Sequence, residues 1–388
     1  MRILHIVDGI PPVTLGGTGR IVMEIALQQL RNGKFVGILS AAKQGELPHE
    51  HQGIQLLTVP RIKKRFIHFA TVFSRSRERE VLQKIEEFEP DIIHAHTISR
   101  QCGYRWMKEV KKKGIRLIIT CHDVSHVSYG KVLGNESNLW LTEMLRYRWT
   151  WNPLRMFAIK KYLKNADVIL TVSDALKEYL SKRGIRKMQT MHNGIDLSYW
   201  KPSVSQVEAR EQLRLPQDRL LFLLAGRMGF DKGSTLIAAT LPKNADLVIA
   251  GDNVSDEFAP VQKRMHVYKN QNAEQMKLHY SACDAVLVPS RCLDCFPTVC
   301  LEAMAMERPV LATCMGGAKE AVIDGDTGWI IDPWDESAWQ RRMEWCTEHR
   351  PELMEAGKKG RKRMESTFSI EQMVDLLDTV YEKASLHV

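Results

Sequence analysis

Asp284-Ala285-Val286-Leu287-Val288-Pro289-Ser290-Arg291-Cys292-Leu293-Asp294-Cys295-Phe296-Pro297-Thr298-Val299-Cys300-Leu301-Glu302-Ala303-Met304-Ala305 is a strand, a loop and a helix start in succession. The run Ala285–Val288 is short and continuously apolar, as a strand buried on both faces is. Pro289 and Ser290 end it, and from Pro297 the pattern becomes helical, proline being suited to a first helical turn. The spacing predicts Asp294 on the loop and Glu302 about two turns into the helix. Two carboxylates on such a platform can point into one crevice. Carboxylates accept hydrogen bonds from vicinal sugar hydroxyls, and the free amides of a helix start favour an anionic or hydroxyl-rich ligand. An ordinary strand-loop-helix with two solvated acids has the same pattern.

Working outward, the whole chain alternates in this way. Strands are predicted at Ile3–Val7, Phe35–Leu39, Ile54–Val59, Ile92–His94, Leu117–Cys121, Val168–Val172 and Met188–His192. The second half adds Leu220–Ala225, Leu247–Ala250, Met265–Tyr268, Ala285–Val288, Val310–Ala312 and Trp329–Ile331. Helical stretches such as Arg20–Leu30, Arg77–Glu86, Tyr104–Lys112 and Asp174–Lys182 lie between them. Strand-helix alternation with continuous apolar strands predicts α/β architecture, two doubly wound parallel sheets covered by helices. A chain of 388 residues suits two domains. The boundary is placed near Leu197–Ser205, where Lys201-Pro202-Ser203 reads as a linker, and Ile370–Ala384 reads as an amphipathic helix.

The composition, 44% apolar and 26% charged, is that of a globular protein. No run of about 18 apolar residues is present, so no spanning helix is expected. The first residues read as a strand rather than a secretory signal. Eight cysteines without a disulfide framework suggest reduced thiols in a cytosolic enzyme. Cys292-x2-Cys295 has no second Cys/His pair at metal-binding spacing. Residues 1–197 carry a net charge of +14 and residues 198–388 a net of −5, which points to a polyanionic surface as partner for the first half.

Further motifs each follow a strand. Gly16-Gly17-Thr18-Gly19 opens a helix after β-strand 1, where backbone can approach a ligand closely and helix-start amides suit phosphate. Its spacing is not that of a dinucleotide fingerprint. In Gly226-Arg227-Met228-Gly229-Phe230-Asp231-Lys232-Gly233, two cations on a glycine-punctuated loop can clamp a diphosphate. His192-Asn193-Gly194-Ile195-Asp196 is a tight turn with a structural role. His94-Ala95-His96 could bind a metal, but a third ligand at sensible spacing is missing; His122 ends another strand. Gly317-Ala318-Lys319-Glu320 through Asp324-Gly325-Asp326-Thr327-Gly328 reads as a turn element. Arg61-Ile62-Lys63-Lys64-Arg65-Phe66-Ile67-His68-Phe69 mixes cations with large apolar side chains. So does the stretch from Trp140 to Lys161, with Arg146, Arg148, Trp149, Trp151 and Arg155. Both suit an anionic membrane surface, or a plain solvated face, and no nucleic-acid recognition motif accompanies them.

Taken in order, these motifs resemble those of the retaining nucleotide-sugar glycosyltransferases of family 4, over nearly the whole chain. The family has Glu, seven residues, Glu before an Ala-Met-Ala-type helix. Here Asp294 stands first, one methylene shorter, and Glu302 second. The resemblance implies a GT-B fold, two Rossmann-like domains facing a central cleft. It implies an acceptor-binding domain at 1–200 and a donor-binding domain at 201–369, with helix 370–388 packing back on the first. It implies a nucleotide sugar as donor and a sugar or lipid-linked acceptor, in cell-surface polysaccharide or glycolipid synthesis, with no cofactor and no metal. By resemblance, His122, Arg227, Lys232 and Asp294 are catalytic. Gly16, Gly17, Cys295, Phe296, Pro297, Thr298 and Glu302 join Arg227, Lys232 and Asp294 in binding the donor. Gly16, Thr18 and His122 lie on the acceptor side. A cytoplasmic enzyme peripheral on the inner membrane face is the expectation, with no nucleic-acid partner. A nucleotide-sugar epimerase, a phosphorylase of the same plan and an inactive sugar-nucleotide binding protein are the competing readings.

Overall fold

The computed structural model describes residues 1–14, 16–128, 132, 153–252, 254 and 256–383. The chain forms two compact units. One holds residues 1–130, 136–194 and 370–388, the other residues 131–135 and 195–369.

The first unit is built on an eight-stranded sheet of order β3-β4-β2-β1-β5-β6-β7-β8. Its strands are β1 (Arg2–Ile6), β2 (Phe35–Ala41), β3 (Glu50–His51), β4 (Ile54–Val59), β5 (Ile92–Ala95), β6 (Arg116–Cys121), β7 (Val168–Thr171) and β8 (Met188–Thr190). All neighbours are parallel except β3 and β4. β1 lies between β2 and β5, so the order reverses there, and the loops following these strands open at a topological switch point. On one face Val7, Ile10, Val22, Ala26, Val36, Ile38, Ile54 and Leu56 form a core. Full burial of such side chains contributes about 1.5–3 kcal/mol each. The helix Ile370–Lys383 buries Ile370, Met373, Val374, Leu377 and Tyr381, one helical stripe, and packs on the helix Gly17–Arg31.

The second unit has a six-stranded, wholly parallel sheet of order β11-β10-β9-β12-β13-β14. Its strands are β9 (Leu220–Ala225), β10 (Ala245–Ala250), β11 (Met265–Tyr268), β12 (Ala285–Val288), β13 (Val310–Thr313) and β14 (Gly328–Ile331). The order reverses between β9 and β12. The loops leaving these two strands are therefore the ones a ligand meets in such a sheet.

The doubly wound reading holds, with two instructive differences. β3 carries no apolar signal, being two exposed polar residues paired antiparallel to β4. β10 begins at Ala245 rather than Leu247, because the charge of Asp246 is met by Arg219 at 2.5 Å and His266 at 3.0 Å, which lets a carboxylate sit in the sheet. No helix among the described residues is long and apolar enough to cross a membrane.

Candidate active site

Two loops of the second unit meet at its switch point. Gly233 ends the first at φ +75°, and a Cβ there would lie 2.0 Å from Pro289 O, so only glycine lets the loop after β9 touch the loop after β12. Arg291 N–H donates to Asp231 O at 3.0 Å. The buried Arg291 guanidinium lies 5.0 Å from the ring centroids of both Phe230 and Trp334. Within this frame Lys232 Nζ donates to Asp294 Oδ2 at 2.5 Å, and Ser290 Oγ donates to the same oxygen at 3.0 Å. Burial opposes the charged ammonium. The charge and hydrogen bond of Asp294, together with neighbouring Cys292 and Asp231, outweigh it and raise the Lys232 pKa, so a protonated lysine is held where the loops join. Arg227, on the same loop, donates through Nη2 to both carboxylate oxygens of Asp231, at 2.9 and 2.7 Å, with its side chain 47% exposed.

Asp294 is fixed from behind. Its carbonyl accepts from Gly317 N–H at 2.9 Å, and its backbone bridges in parallel to Gly316. The helix that follows starts at Thr298, so Glu302 is its fifth residue and lies just past one turn, not two. Glu302 is 3% exposed and accepts from Tyr280 Oη at 2.8 Å through Oε2. The two acids therefore have different partners, a lysine and a phenol. The side chains of Cys295, Phe296 and Pro297 are buried, Phe296 against Phe368 with ring centroids 5.8 Å apart, so their backbone is what they offer a ligand. Thr298 is half-buried at the helix start. Asp231, Ser290, Tyr280 and Gly316 were not anticipated. Asp231 shares the loop of Arg227 without the helical spacing that would have announced the pair, and the others meet their partners only through the fold.

In the first unit, Gly16 is the exposed N-cap of the helix Gly17–Arg31, in ordinary extended conformation at φ −71°. Gly17 is exposed and Thr18 half-buried. A Cβ at Gly16 would meet nothing within 4 Å, whereas one at Gly19 would lie 2.5 Å from Gly9 O. Packing thus requires Gly19 but not Gly16. Asp8, just past β1, accepts backbone N–H bonds from Arg100, Gln101 and Cys102 at 2.7, 2.8 and 2.8 Å, and burial pushes its pKa up to about 6.

His122, just past β6, donates or accepts through Nε2 with His96 Nδ1 at 3.0 Å. His96 Nε2 meets His5 Nδ1 at 3.0 Å, and His5 Nε2 meets Gln29 Oε1 at 2.7 Å. His94 is bonded by Tyr381 Oη and Thr120 Oγ1, both at 2.7 Å. Burial lowers His5 and His122 to about 4, and His94 and His96 well below the usual range, so all four rings are neutral near pH 7. The third imidazole that the His-x-His spacing lacked comes from β1: nitrogens of His5, His94 and His96 lie within 4.8 Å of one another. Both ring nitrogens of each of these three already bond to protein partners.

The remaining motifs are structural or superficial. Asp196 Oδ1 accepts from Ser198 and Tyr199 N–H, closing the turn after Asn193-Gly194. Thr327 Oγ1 accepts from Ile323 N–H at 2.9 Å inside the Asp324–Gly328 turn. All eight cysteines are free thiols. Helix Ile67–Phe73 packs on helix Pro153–Leu163, exposing Phe66, Phe69, Leu154 and Phe157 beside exposed Lys63, Lys64, Arg65, Lys161 and Lys164. Arg155 does not belong to this face, being 2% exposed. Trp140, Arg146, Arg148, Trp149 and Trp151 lie outside the described residues.

Residues 15–199 match the family model described as Glycosyltransferase Family 4, and residues 205–363 that of Glycosyl transferases group 1. The chain is 25% identical to a glycogen synthase of Mycobacterium tuberculosis, over 98% of this chain and 94% of that protein. It is 26% identical to a D-inositol 3-phosphate glycosyltransferase of Mycobacterium bovis, over 76% of this chain and 62% of that protein. Among solved structures it is similar to sucrose-phosphate synthase of Thermosynechococcus elongatus, with TM-score 0.81, 20% identity and full coverage of both chains. The Anabaena HepE complex with UDP has TM-score 0.75 at 17% identity, over 99% of this chain and 100% of that one.

Proposed function

The chain belongs to the group 1 glycosyltransferases, with a GT-B fold and a first half of the family 4 type, and from that premise we propose how it works. The second unit takes a nucleoside-diphosphate sugar, and the sugar passes to an acceptor hydroxyl with retention of anomeric configuration. The observation that carries this reading is the Lys232–Asp294 contact at the junction of the two switch-point loops. It keeps a protonated ammonium beside a carboxylate suited to sugar hydroxyls, with the Arg227 guanidinium on the same loop. Arg227 and Lys232 stabilise the diphosphate as the bond from the anomeric carbon to the phosphate oxygen breaks. The bonding electrons go to that oxygen, which takes the proton of the incoming acceptor hydroxyl as the new carbon–oxygen bond forms on the same face. Preorganised charge at the leaving group is the largest catalytic contribution in such a site. In the second unit Glu302 holds ribose hydroxyls, Asp294 hydroxyls of the donor sugar, and the backbone from Cys295 to Thr298 the phosphates; in the first unit His122 bonds a substrate hydroxyl. Gly16, Gly17 and Thr18 give the acceptor room. With two side-chain cations in place, transfer is metal-independent.

HepE has been solved with UDP and with UDP-glucose, and a starch synthase of Arabidopsis thaliana with ADP, which supports a nucleotide-sugar donor and leaves the base to experiment. The basic and apolar face of the first unit supports a lipid-linked acceptor at an anionic membrane, and with it cell-surface glycan synthesis. The test is a thermal-shift panel of nucleoside diphosphates and their sugar conjugates, followed by transfer assays in EDTA with the product anomer read by NMR. A ligand at about 100 times its Kd stabilises by about 2.7 kcal/mol, so the correct donor separates from the rest. A flat panel, or an inverted product, refutes the reading.

A further inference from the structure

The buried histidines of the first unit form a directed chain. Gln29 Nε2 donates to Tyr381 Oη at 3.2 Å, so its Oε1 is turned to His5 Nε2 at 2.7 Å. An amide oxygen only accepts, and His5 must therefore carry its proton on Nε2. In a neutral ring this makes His5 Nδ1 the acceptor for His96 Nε2–H, 3.0 Å away. His96 Nδ1 is then the acceptor for His122 Nε2–H, also at 3.0 Å. The second branch accommodates the same order, its hydroxyls being able to donate or accept. Tyr381 Oη, receiving from Gln29, can donate to His94 Nδ1, with His94 Nε2–H donating to Thr120 Oγ1, each at 2.7 Å. Gln29, His5, His94 and His96 are buried, so water cannot substitute for a missing partner. Turning the amide over would reverse every proton from His5 to His122.

We propose that Gln29 is a positioning residue: through His5 and His96 it fixes the proton of His122 on Nε2 and leaves Nδ1 as a hydrogen-bond acceptor for a substrate hydroxyl. Only the ownership of that hydroxyl by a sugar rests on the glycosyltransferase reading. Neutral rings are what the relay needs, since an imidazolium has no acceptor nitrogen.

Side-chain ¹⁵N–¹H NMR of the full chain tests the assignment without substrate. The expected result is Nε2–H on His5, His96 and His122 at pH 7. A Nδ1–H tautomer or an imidazolium at His122 overturns it. So does one equivalent of zinc retained after dialysis with the His5, His94 and His96 resonances shifted together, which would make the cluster a metal site. In Gln29→Leu the His122 signal should split between tautomers and kcat should fall at least about tenfold, against about 10⁴ where a catalytic-triad histidine holds the wrong tautomer. A single unchanged Nε2–H tautomer in that variant removes Gln29 from the account. Wild-type protein with the expected tautomers but no transfer from any nucleotide sugar would refute the functional reading and leave the relay standing.

Discussion

At the scale of single residues, the proposed chemistry separates from stability at two positions. Arg227 is half-exposed and its side-chain hydrogen bonds run to Asp231 and Met228 of its own loop, so truncation removes little packing. Arg227→Ala should leave the melting temperature within about 2 °C, since surface changes stay within about 0.5 kcal/mol. It should lower kcat by about 100-fold or more, the effect of deleting one preorganised charge donor. Nucleoside diphosphate release in steady state measures it, and unchanged turnover removes the diphosphate clamp. Gly16 makes the converse case on the acceptor side. No described residue beyond its chain neighbours occupies the space of a Cβ there, and its φ suits any residue. Gly16→Ala should therefore stay within about 1 kcal/mol of wild-type stability, the unfolded-chain entropy that alanine removes offsetting its poorer N-capping, while acceptor KM rises severalfold. Gly19→Ala should lose stability instead, because its Cβ would meet the Gly9 carbonyl. If Gly16→Ala matches wild type in both constants, no substrate approaches that backbone.

At the scale of elements, helices Ile67–Phe73 and Pro153–Leu163 carry a proposal of their own. Phe69 is 64% and Phe157 72% exposed, although each helix is anchored by buried side chains. Solvated aromatics beside lysines are a poor solution in water and a good one at a headgroup layer, where each cation adds about 1 kcal/mol. Phe69→Ser with Phe157→Ser should keep activity on a soluble acceptor and abolish co-sedimentation with vesicles containing anionic lipid. Wild-type binding that is indifferent to anionic lipid content would refute the surface. The elements themselves were largely legible, because doubly buried strands such as Leu220–Ala225 and Ala285–Val288 leave continuous apolar runs. β3 left none, being two exposed polar residues. The candidate site was legible where one loop supplies both groups, as with Arg227 and Lys232. It was illegible where the fold alone makes the pair: Tyr280 reaches Glu302 from another helix, and His5 reads as one more residue of an apolar strand.

At the scale of the whole molecule, charge and buried imidazoles combine into a pH dependence. The first half of the chain carries the basic excess, a net of +14 over residues 1–197. Its unit also buries His5 and His122, whose pKa values fall from the ordinary 6.5 to about 4, and His94 and His96, which burial holds well below the ordinary 6.5. A histidine depressed in the folded state takes up its proton first when unfolded. Its contribution to stability is therefore complete above pH 6.5 and lost as the pH falls toward 4. Between pH 7 and 5 His5 and His122 each cost roughly 2 kcal/mol, and His94 and His96 act in the same direction. Asp8 acts in the opposite sense, raised from 3.8 to about 6, and its contribution, lost as the pH rises through 6, returns about 1 kcal/mol on the same acidification. The histidines outnumber it, and added positive charge repels within an already basic unit. The second unit holds one comparable ring, His279, lowered to about 4. Urea unfolding followed by circular dichroism should thus be close to a single transition at pH 7 and split at pH 5, with the first unit unfolding earlier. Fragments released by limited proteolysis at the lower midpoint should come from residues 1–194. Equal midpoints at the two pH values would mean that these imidazoles are already protonated in the native protein, and the neutral hydrogen-bonded chain from Gln29 to His122 would fall with them.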